Sequence, residues 1–180
     1  MKKINILLAV IIVAAFTFTS CNKDKVQLPK IETQADSLNY AFGLANGNII
    51  TNFYLQPYKA NPDSLEAKIS LLLQGIDKAT KEAEADKKEA DNKDEIFQLG
   101  LQFGNSFKQQ MKDGLLGVST LAFNETLVRQ GLINALYDFK EGMTALEAEP
   151  YLNKTMKSII ESQTVPKNID TVAPDSISAN

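Results

Sequence analysis

The strongest constraint on the fold of this chain is a nine-residue pattern that occurs twice. Residues 40–48 read Tyr-Ala-Phe-Gly-Leu-Ala-Asn-Gly-Asn, and residues 97–105 read Phe-Gln-Leu-Gly-Leu-Gln-Phe-Gly-Asn. A glycine inside a helix costs about 1 kcal/mol relative to alanine, and glycines four residues apart lie on one helix face. We therefore predict two helices whose glycine faces contact another helix. The predicted packing or dimer residues are Tyr40, Gly43, Gly47, Phe97, Gly100 and Gly104.

A second pattern extends this repeat into the helix that follows each glycine pair. Residues 65–79 and 121–135 both begin with leucine, continue with two adjacent apolar residues and end in Gln-Gly-apolar-x-x-Ala. A two-helix unit therefore occurs twice, and two such units can build a core that neither could form alone. Because no strand pattern is visible, we expect an all-α helical bundle. It should contain about five helices, namely the duplicated two-helix unit and a closing helix.

Capping residues and apolar periodicity predict where the helices begin and end. The five helices are expected to begin near Asp36, Asp63, Asp94, Thr120 and Thr144. The first should end near Tyr54, the third near Lys112 and the fourth at Glu141–Gly142. Thr144 and Glu147 also match a capping box, in which side chains satisfy the free N–H groups of the first turn. Mixed charges over residues 81–90 predict a solvated extension of the second helix.

The first 20 residues match a secretory signal peptide. Two lysines precede a mostly apolar run over residues 4–18, which is too short for a stable membrane span. The run leads into Phe-Thr-Ser-Cys, and Cys21 is the only cysteine in the chain. This resembles the lipobox of bacterial lipoproteins, with Phe18 in place of the usual leucine, and implies cleavage before Cys21 and acylation of that residue. The alternative is an ordinary signal peptide with an incidental cysteine.

Lipidation of Cys21 predicts the organisation and location of the mature protein. Residues 21–35 are expected to form a lipidated polar tether, residues 36–163 the helical domain and residues 164–180 a disordered tail. Since Asn22 is not an aspartate, the inner-membrane retention rule of some Gram-negative bacteria gives no reason to hold the protein there. We expect anchoring to the outer membrane of the cell envelope, facing the periplasm or the surface. With a single cysteine, the chain must be stabilised by its core rather than by an internal disulfide.

The composition excludes several classes of function. Histidine is absent and the one cysteine is assigned to the anchor, which removes Ser-His-Asp and Cys-His catalysis and the usual zinc sites. A net charge of −3 gives no electrostatic basis for binding nucleic acid. No phosphate-binding glycine loop or calcium loop is present. We therefore predict no cofactor, no metal site and no nucleic-acid partner.

The helical motifs together resemble the N-terminal domain of FKBP-type peptidyl-prolyl isomerases. That domain opens with a pattern like Ser-Tyr-Ala-x-Gly-x-x-x-Gly, which residues 39–47 match except that Asn39 replaces the serine. Its next helix ends in Gly-apolar-x-x-Ala, as the second helix of each unit does here. A segment like Met-Thr-x-x-Glu-Ala-x-x-Tyr-Leu then leads into a long helix, and residues 143–152 fit it. The resemblance covers residues 36–163.

The resemblance implies a helper role in protein folding. In that family the domain mediates dimerisation and presents substrates to a separate catalytic β-sheet domain, and too few residues follow Gln163 here to form one. We therefore expect a homodimer without isomerase activity that binds unfolded or envelope client proteins. The duplicated unit departs from the simplest form of the domain, because its second copy could occupy the place of a partner chain.

Two other classes of function are weighed against this one. An enzyme could be a residual isomerase or a hydrolase that uses Glu147 and Glu149, but residues two apart lie on different faces of a helix. A purely structural envelope lipoprotein would need only its fold and a stable complex. A contiguous apolar patch left exposed in the folded protein would favour the binding module over both.

A short motif of the form Asp-(Ser/Thr)-apolar occurs four times and resembles the acceptor of a bacterial O-glycosylation system. At Ser37 and Ser64 helix capping explains it better. At Thr171 and Ser176, in the expected disordered tail, we predict modification.

Overall fold

The computed structural model describes residues 25–81 and 92–164 of the chain. These residues form five α-helices and no β-strand, which confirms the expected all-α helical bundle. The helices are α1 (Gln34–Ile49), α2 (Pro62–Lys81), α3 (Glu95–Asp113), α4 (Glu125–Leu136) and α5 (Ala145–Thr164). The signal peptide, Cys21, the charged segment 82–91 and the tail with Thr171 and Ser176 lie outside the described residues.

Helix α1 begins earlier than expected because its cap is Thr33. The Thr33 hydroxyl accepts a hydrogen bond from the Asp36 N–H at 3.0 Å, and the Asp36 carboxylate accepts one from the Thr33 N–H at 3.0 Å. Asp36 is thus the third residue of a capping box and lies inside the helix it was expected to precede. The helix continues as a π-helical turn, Ile50–Tyr54, which agrees with the expected end near Tyr54.

The starts of α2 and α4 also differ from the expected residues. Asn61, rather than Asp63, accepts a hydrogen bond at the start of α2, from the Ser64 N–H at 3.1 Å. Helix α4 begins after Asn124, whose side chain accepts from the Leu127 N–H at 3.2 Å. The expected start after Thr120 is wrong because the preceding loop is bound to Asn39. The Asn39 amide donates to the Ala122 carbonyl and accepts from the Asn124 N–H.

The starts of α3 and α5 follow the local sequence pattern, whereas the end of α4 does not. Asp94 caps α3 as expected, accepting from the Ile96 N–H at 2.9 Å. Glu147 accepts hydrogen bonds from both the N–H and the hydroxyl of Thr144, as the capping-box pattern predicts. Helix α4, however, ends at Leu136 rather than at Glu141–Gly142. The Phe139 N–H bonds back to the Asn134 carbonyl and so turns the chain before Phe139 could join the helix.

The two copies of the repeat are interlocked. Helix α1 of the first copy packs against α4 of the second, and α3 of the second copy packs against α2 of the first. Each glycine helix is therefore paired with the second helix of the other copy. Gly43 contacts Val128, and Gly47, four residues later, contacts Ala135, seven residues later on α4. Because the contact residues increase in number along both helices, the paired helices run parallel.

The core lies where the two helix pairs meet. Phe42 of α1 lies 6.3 Å from Phe107 of α3 between ring centroids, and Phe107 lies 5.6 Å from Phe123 of the loop before α4. Tilted ring pairs at such separations contribute stability beyond the area they bury. An ion pair between Arg129 of α4 and Asp77 of α2 joins the second helices of the two copies.

Helix α5 breaks the symmetry of the repeat. It packs on α1 and buries Ala148, Leu152 and Met156. The repeat positions equivalent to Ala41 and Ala45 of α1 are Gln98 and Gln102 of α3. Glutamine amides would need hydrogen-bond partners if a helix covered them. The sequence thus supports a closing helix on α1 and a solvated surface at the matching part of α3.

Candidate binding cleft

A cleft of about 760 Å³ opens at one end of the bundle. It lies between the π-helical end of α1, the start of α2, the loop after α4 and the start of α5. Its floor includes the buried side chains of Ile69, Ala135 and Leu136. The volume falls in the range of small-ligand and side-chain pockets, which are mainly apolar with a few placed polar groups.

Two large apolar side chains on the rim of the cleft are exposed to solvent. Leu146 is 78% exposed and Tyr137 is 43% exposed. Leu146 is held there because the Thr144–Glu147 cap fixes the first turn of α5. Tyr137 directly follows the last residue of α4, where the chain turns away. A ligand that covered Leu146 would gain about 1.5–3 kcal/mol from burying this one side chain.

Polar groups line the side of the cleft formed by α1. The Asn52 amide donates to the Asn48 side-chain oxygen at 2.9 Å, which leaves the remaining donors and acceptors of both amides at the opening. The Thr51 hydroxyl oxygen is buried and makes no hydrogen bond within the described part of the chain. Such an atom costs free energy until a partner reaches it. Two charges of each sign also belong to the lining, those of Lys59, Glu66 and the paired Asp138 and Lys140.

Glu147, one of the two carboxyl groups considered for hydrolysis, lies outside the cleft lining and caps α5. Hydrogen bonds from the Thr144 backbone and hydroxyl hold the pKa of the Glu147 carboxyl below its usual value. A carboxylate that is stabilised in its charged form and already caps a helix is a weak general base. Among residues 25–81 and 92–164 no group of three acidic, cysteine or histidine side chains is placed to hold a metal ion. The cleft thus combines an apolar floor, two exposed apolar side chains, side-chain amides and charged groups of both signs.

The glycines and aromatic residues predicted to pack or dimerise lie at the two helix crossings, outside the cleft lining. A Cβ added to Gly43 would overlap the Val128 carbonyl of α4, and one added to Gly100 would overlap the Leu72 carbonyl of α2. At the second glycine of each pair, the added Cβ would lie 2.6 Å from an alanine Cβ, that of Ala135 or that of Ala79. Both glycine faces are therefore covered by helices of the same chain.

Tyr40 and Phe97 occupy equivalent repeat positions but have different roles. Both are buried, and each contributes its carbonyl to the glycine crossing. The Tyr40 hydroxyl also accepts a hydrogen bond from the Asn134 amide at 2.9 Å. Burial raises the pKa of Tyr40, and the Asn134 hydrogen bond only partly offsets this.

A second polar site joins the chain before α1 to helix α4. We call residues 25–33 the strap. The buried Asn134 amide donates to the Gln27 carbonyl at 2.8 Å and accepts from the Gln27 N–H at 3.2 Å. Gln130 donates to the Lys25 carbonyl at 2.9 Å and accepts from the Gln27 side chain at 3.0 Å. The described part of the expected tether is thus hydrogen-bonded to the helical domain.

Sequence reasoning missed the roles of Gln130 and Asn134. The only local signal was a Gln and an Asn four residues apart on a helix whose neighbouring positions are apolar. Comparison of the two repeat copies adds little, because Gln74 and Lys78 at the equivalent positions lie on α2, where Gln74 is exposed. The pairing of these amides with residues more than 100 positions away is a property of the folded chain.

No family model, curated protein or solved structure matches this chain. In the part of the chain that the structure describes, no helix has the length and apolar character needed to cross a membrane.

Proposed function

We propose that this chain is a non-catalytic lipoprotein of the cell envelope that binds segments of other polypeptides and so assists their folding or assembly. The observation that carries the proposal is the cleft, with exposed Leu146 and Tyr137 above an apolar floor. Apolar side chains of an unfolded chain would be buried there, and amides such as Asn52 would pair with its backbone. The resemblance to the helper domain of FKBP-type isomerases agrees with this role.

The anchor and the homodimer remain parts of the proposal. Acylation of Cys21 would hold the protein at the outer membrane, where unfolded envelope proteins pass. A homodimer would have to use surfaces other than the glycine faces, since these are covered within one chain. Light scattering of the mature chain without its lipid tests this point. Twice the chain mass supports the dimer, and the mass of one chain contradicts it.

Binding to an unfolded reporter tests the proposed role of the cleft. The reporter is a reduced and alkylated secretory protein that cannot fold, labelled so that its fluorescence anisotropy reports binding. Leu146→Asp places a charge on the cleft rim and should abolish most binding. Phe53→Asp is the matched control, because Phe53 is 77% exposed and outside the cleft lining. Equal losses in both variants, or none in either, would contradict binding at the cleft.

A further inference from the structure

The strap presents apolar side chains to solvent next to the expected lipid anchor. Val26 is 41% exposed, Leu28 is 54% exposed and Ile31 is 39% exposed. Side chains at positions 26 and 28 of an extended segment point to the same side. That side is opposite to Gln27, whose side chain bonds to Gln130 of α4. The backbone of the strap is thus fixed to the bundle. One methyl group of Leu28 lies against Gly142, and the rest of the Leu28 side chain is open to solvent together with part of Val26.

The position of Cys21 limits how far this surface can lie from a bilayer. Residues 22–24 separate Cys21 from Lys25, and four fully extended residues span at most about 14 Å. Because Lys25 and Gln27 are hydrogen-bonded to α4, the bundle cannot move away by unwinding this part of the chain. An acylated Cys21 would therefore keep Val26 and Leu28 within reach of the interface between headgroups and acyl chains.

Charges on the strap fit the same surface. Lys25 and Lys30 flank Val26 and Leu28, and Lys30 is paired with Glu32. Lysine at an interface extends its ammonium group toward the headgroups while its methylene carbons stay in the apolar layer. The exposed apolar residues and the flanking lysines are the features of a segment that lies in the interface plane.

We propose that the exposed surface of the strap at Val26 and Leu28 is a membrane-contact surface that holds the bundle in one orientation on the bilayer. This inference rests on the proposed lipid anchor, but not on client binding at the cleft. The hydrogen bonds of Asn134 and Gln130 then have a purpose beyond stability. They convert a tether into a rigid support and place the α1–α4 side of the bundle nearest the lipid.

Tryptophan fluorescence on vesicles tests the orientation, because the chain has no tryptophan of its own. Val26→Trp and Leu28→Trp are introduced singly into the full lipidated protein, which is bound to phosphatidylcholine vesicles with or without brominated acyl chains. Met111→Trp on α3 is the control, since Met111 is 41% exposed, the same fraction as Val26. Both strap variants should show a blue-shifted emission and a loss of emission on brominated lipid, and the control should show neither.

The other outcomes overturn the inference in distinguishable ways. If the protein binds vesicles but no strap tryptophan is quenched, the strap does not contact lipid, although the anchor is real. Equal quenching at positions 26, 28 and 111 would mean that the bundle has no fixed orientation. If a protein partner covers the strap instead, blue-shifted emission would appear only after that partner is added. Failure to bind vesicles at all would contradict the lipid anchor of the proposed function as well.

Discussion

Gly43 and Gly131 face each other where α1 crosses α4, so closely that a Cβ on Gly131 would lie 3.1 Å from the Gly43 Cα. Gly100 and Gly75 repeat this close approach between α3 and α2, where a Cβ on Gly100 would lie 3.0 Å from the Gly75 Cα. The four glycines thus allow two pairs of backbones to approach directly. Each pair joins one repeat copy to the other, which gives a physical reason for both glycine motifs.

Alanine at the first glycine of either pair should destabilise the fold. Gly43→Ala and Gly100→Ala each force an overlap with a backbone carbonyl, so the helices must separate. Overpacking of this kind costs about 1–3 kcal/mol, and a clash with backbone belongs at the upper end, even though alanine favours helix by about 1 kcal/mol. Urea unfolding measures the loss. Gln102→Ala, at an exposed position of α3, is the control and should change stability by less than about 0.5 kcal/mol.

The second glycine of each pair should show a measurable coupling with its alanine partner. Gly47→Ala should destabilise the chain because its new Cβ would lie 2.6 Å from the Ala135 Cβ. Adding Ala135→Gly removes that overlap and should recover part of the loss. A double-mutant cycle from urea unfolding should give a favourable coupling of at least about 0.5 kcal/mol. Simple additivity would show that the two side-chain positions are not in contact.

Much of this architecture can be predicted from the sequence, and the remainder depends on long-range contacts. Glycine spacing predicts the helices and their close packing, and Asp94 and Thr144 predict caps that the structure contains. The sequence does not predict that each glycine helix pairs with the second helix of the other copy. The second helices of both copies would offer Gly43 the same types of residue. The late start of α4 depends on the bonds from Asn39 to the loop before it. The cleft rim includes Tyr137 because α4 ends at Leu136. The apolar pattern continues to Phe139 and therefore predicts a longer helix without this rim.

Gln130 and Gln74 occupy the same position of the repeat and should respond differently to alanine. Gln130 is buried and bonds to the strap, so Gln130→Ala leaves the Lys25 carbonyl and the Gln27 side chain without this partner. We expect a loss of about 1–3 kcal/mol in the free energy of unfolding. Gln74 is exposed, and its side chain donates a hydrogen bond to the Ser70 hydroxyl one turn earlier on the same helix. Gln74→Ala should therefore cost less than about 0.5 kcal/mol. Similar effects in thermal unfolding would argue against a docked strap.

The ion pair between Lys68 of α2 and Asp94 of α3 should make stability depend on acid pH. The hydrogen bond from Lys68 lowers the pKa of the Asp94 carboxyl below its ordinary value in the folded protein. A carboxyl with a lowered folded pKa contributes stability above its unfolded pKa, and this is lost as pH falls through the folded value. Asp94→Asn keeps the helix cap but removes the charge. It should cost up to about 1 kcal/mol at pH 7.

The pH comparison provides its own control. Because Asp94 becomes protonated in the native protein below its lowered pKa, the stability difference between the native protein and Asp94→Asn should shrink as pH falls from the ordinary pKa of an aspartate through this lowered value. Urea unfolding at a series of pH values measures this. A difference that stays constant from neutral to strongly acid pH would show that the ion pair with Lys68 contributes nothing.

Photocrosslinking from the cleft rim tests the proposed binding role most directly. A photoreactive amino acid is placed at position 146 of the full chain, or at position 53, where the native side chain is equally exposed. Each protein is mixed with the unfolded reporter and irradiated. Binding at the cleft predicts strong crosslinks from position 146 and weak ones from position 53. Equal yields from the two positions, or no crosslinks from position 146, would contradict it.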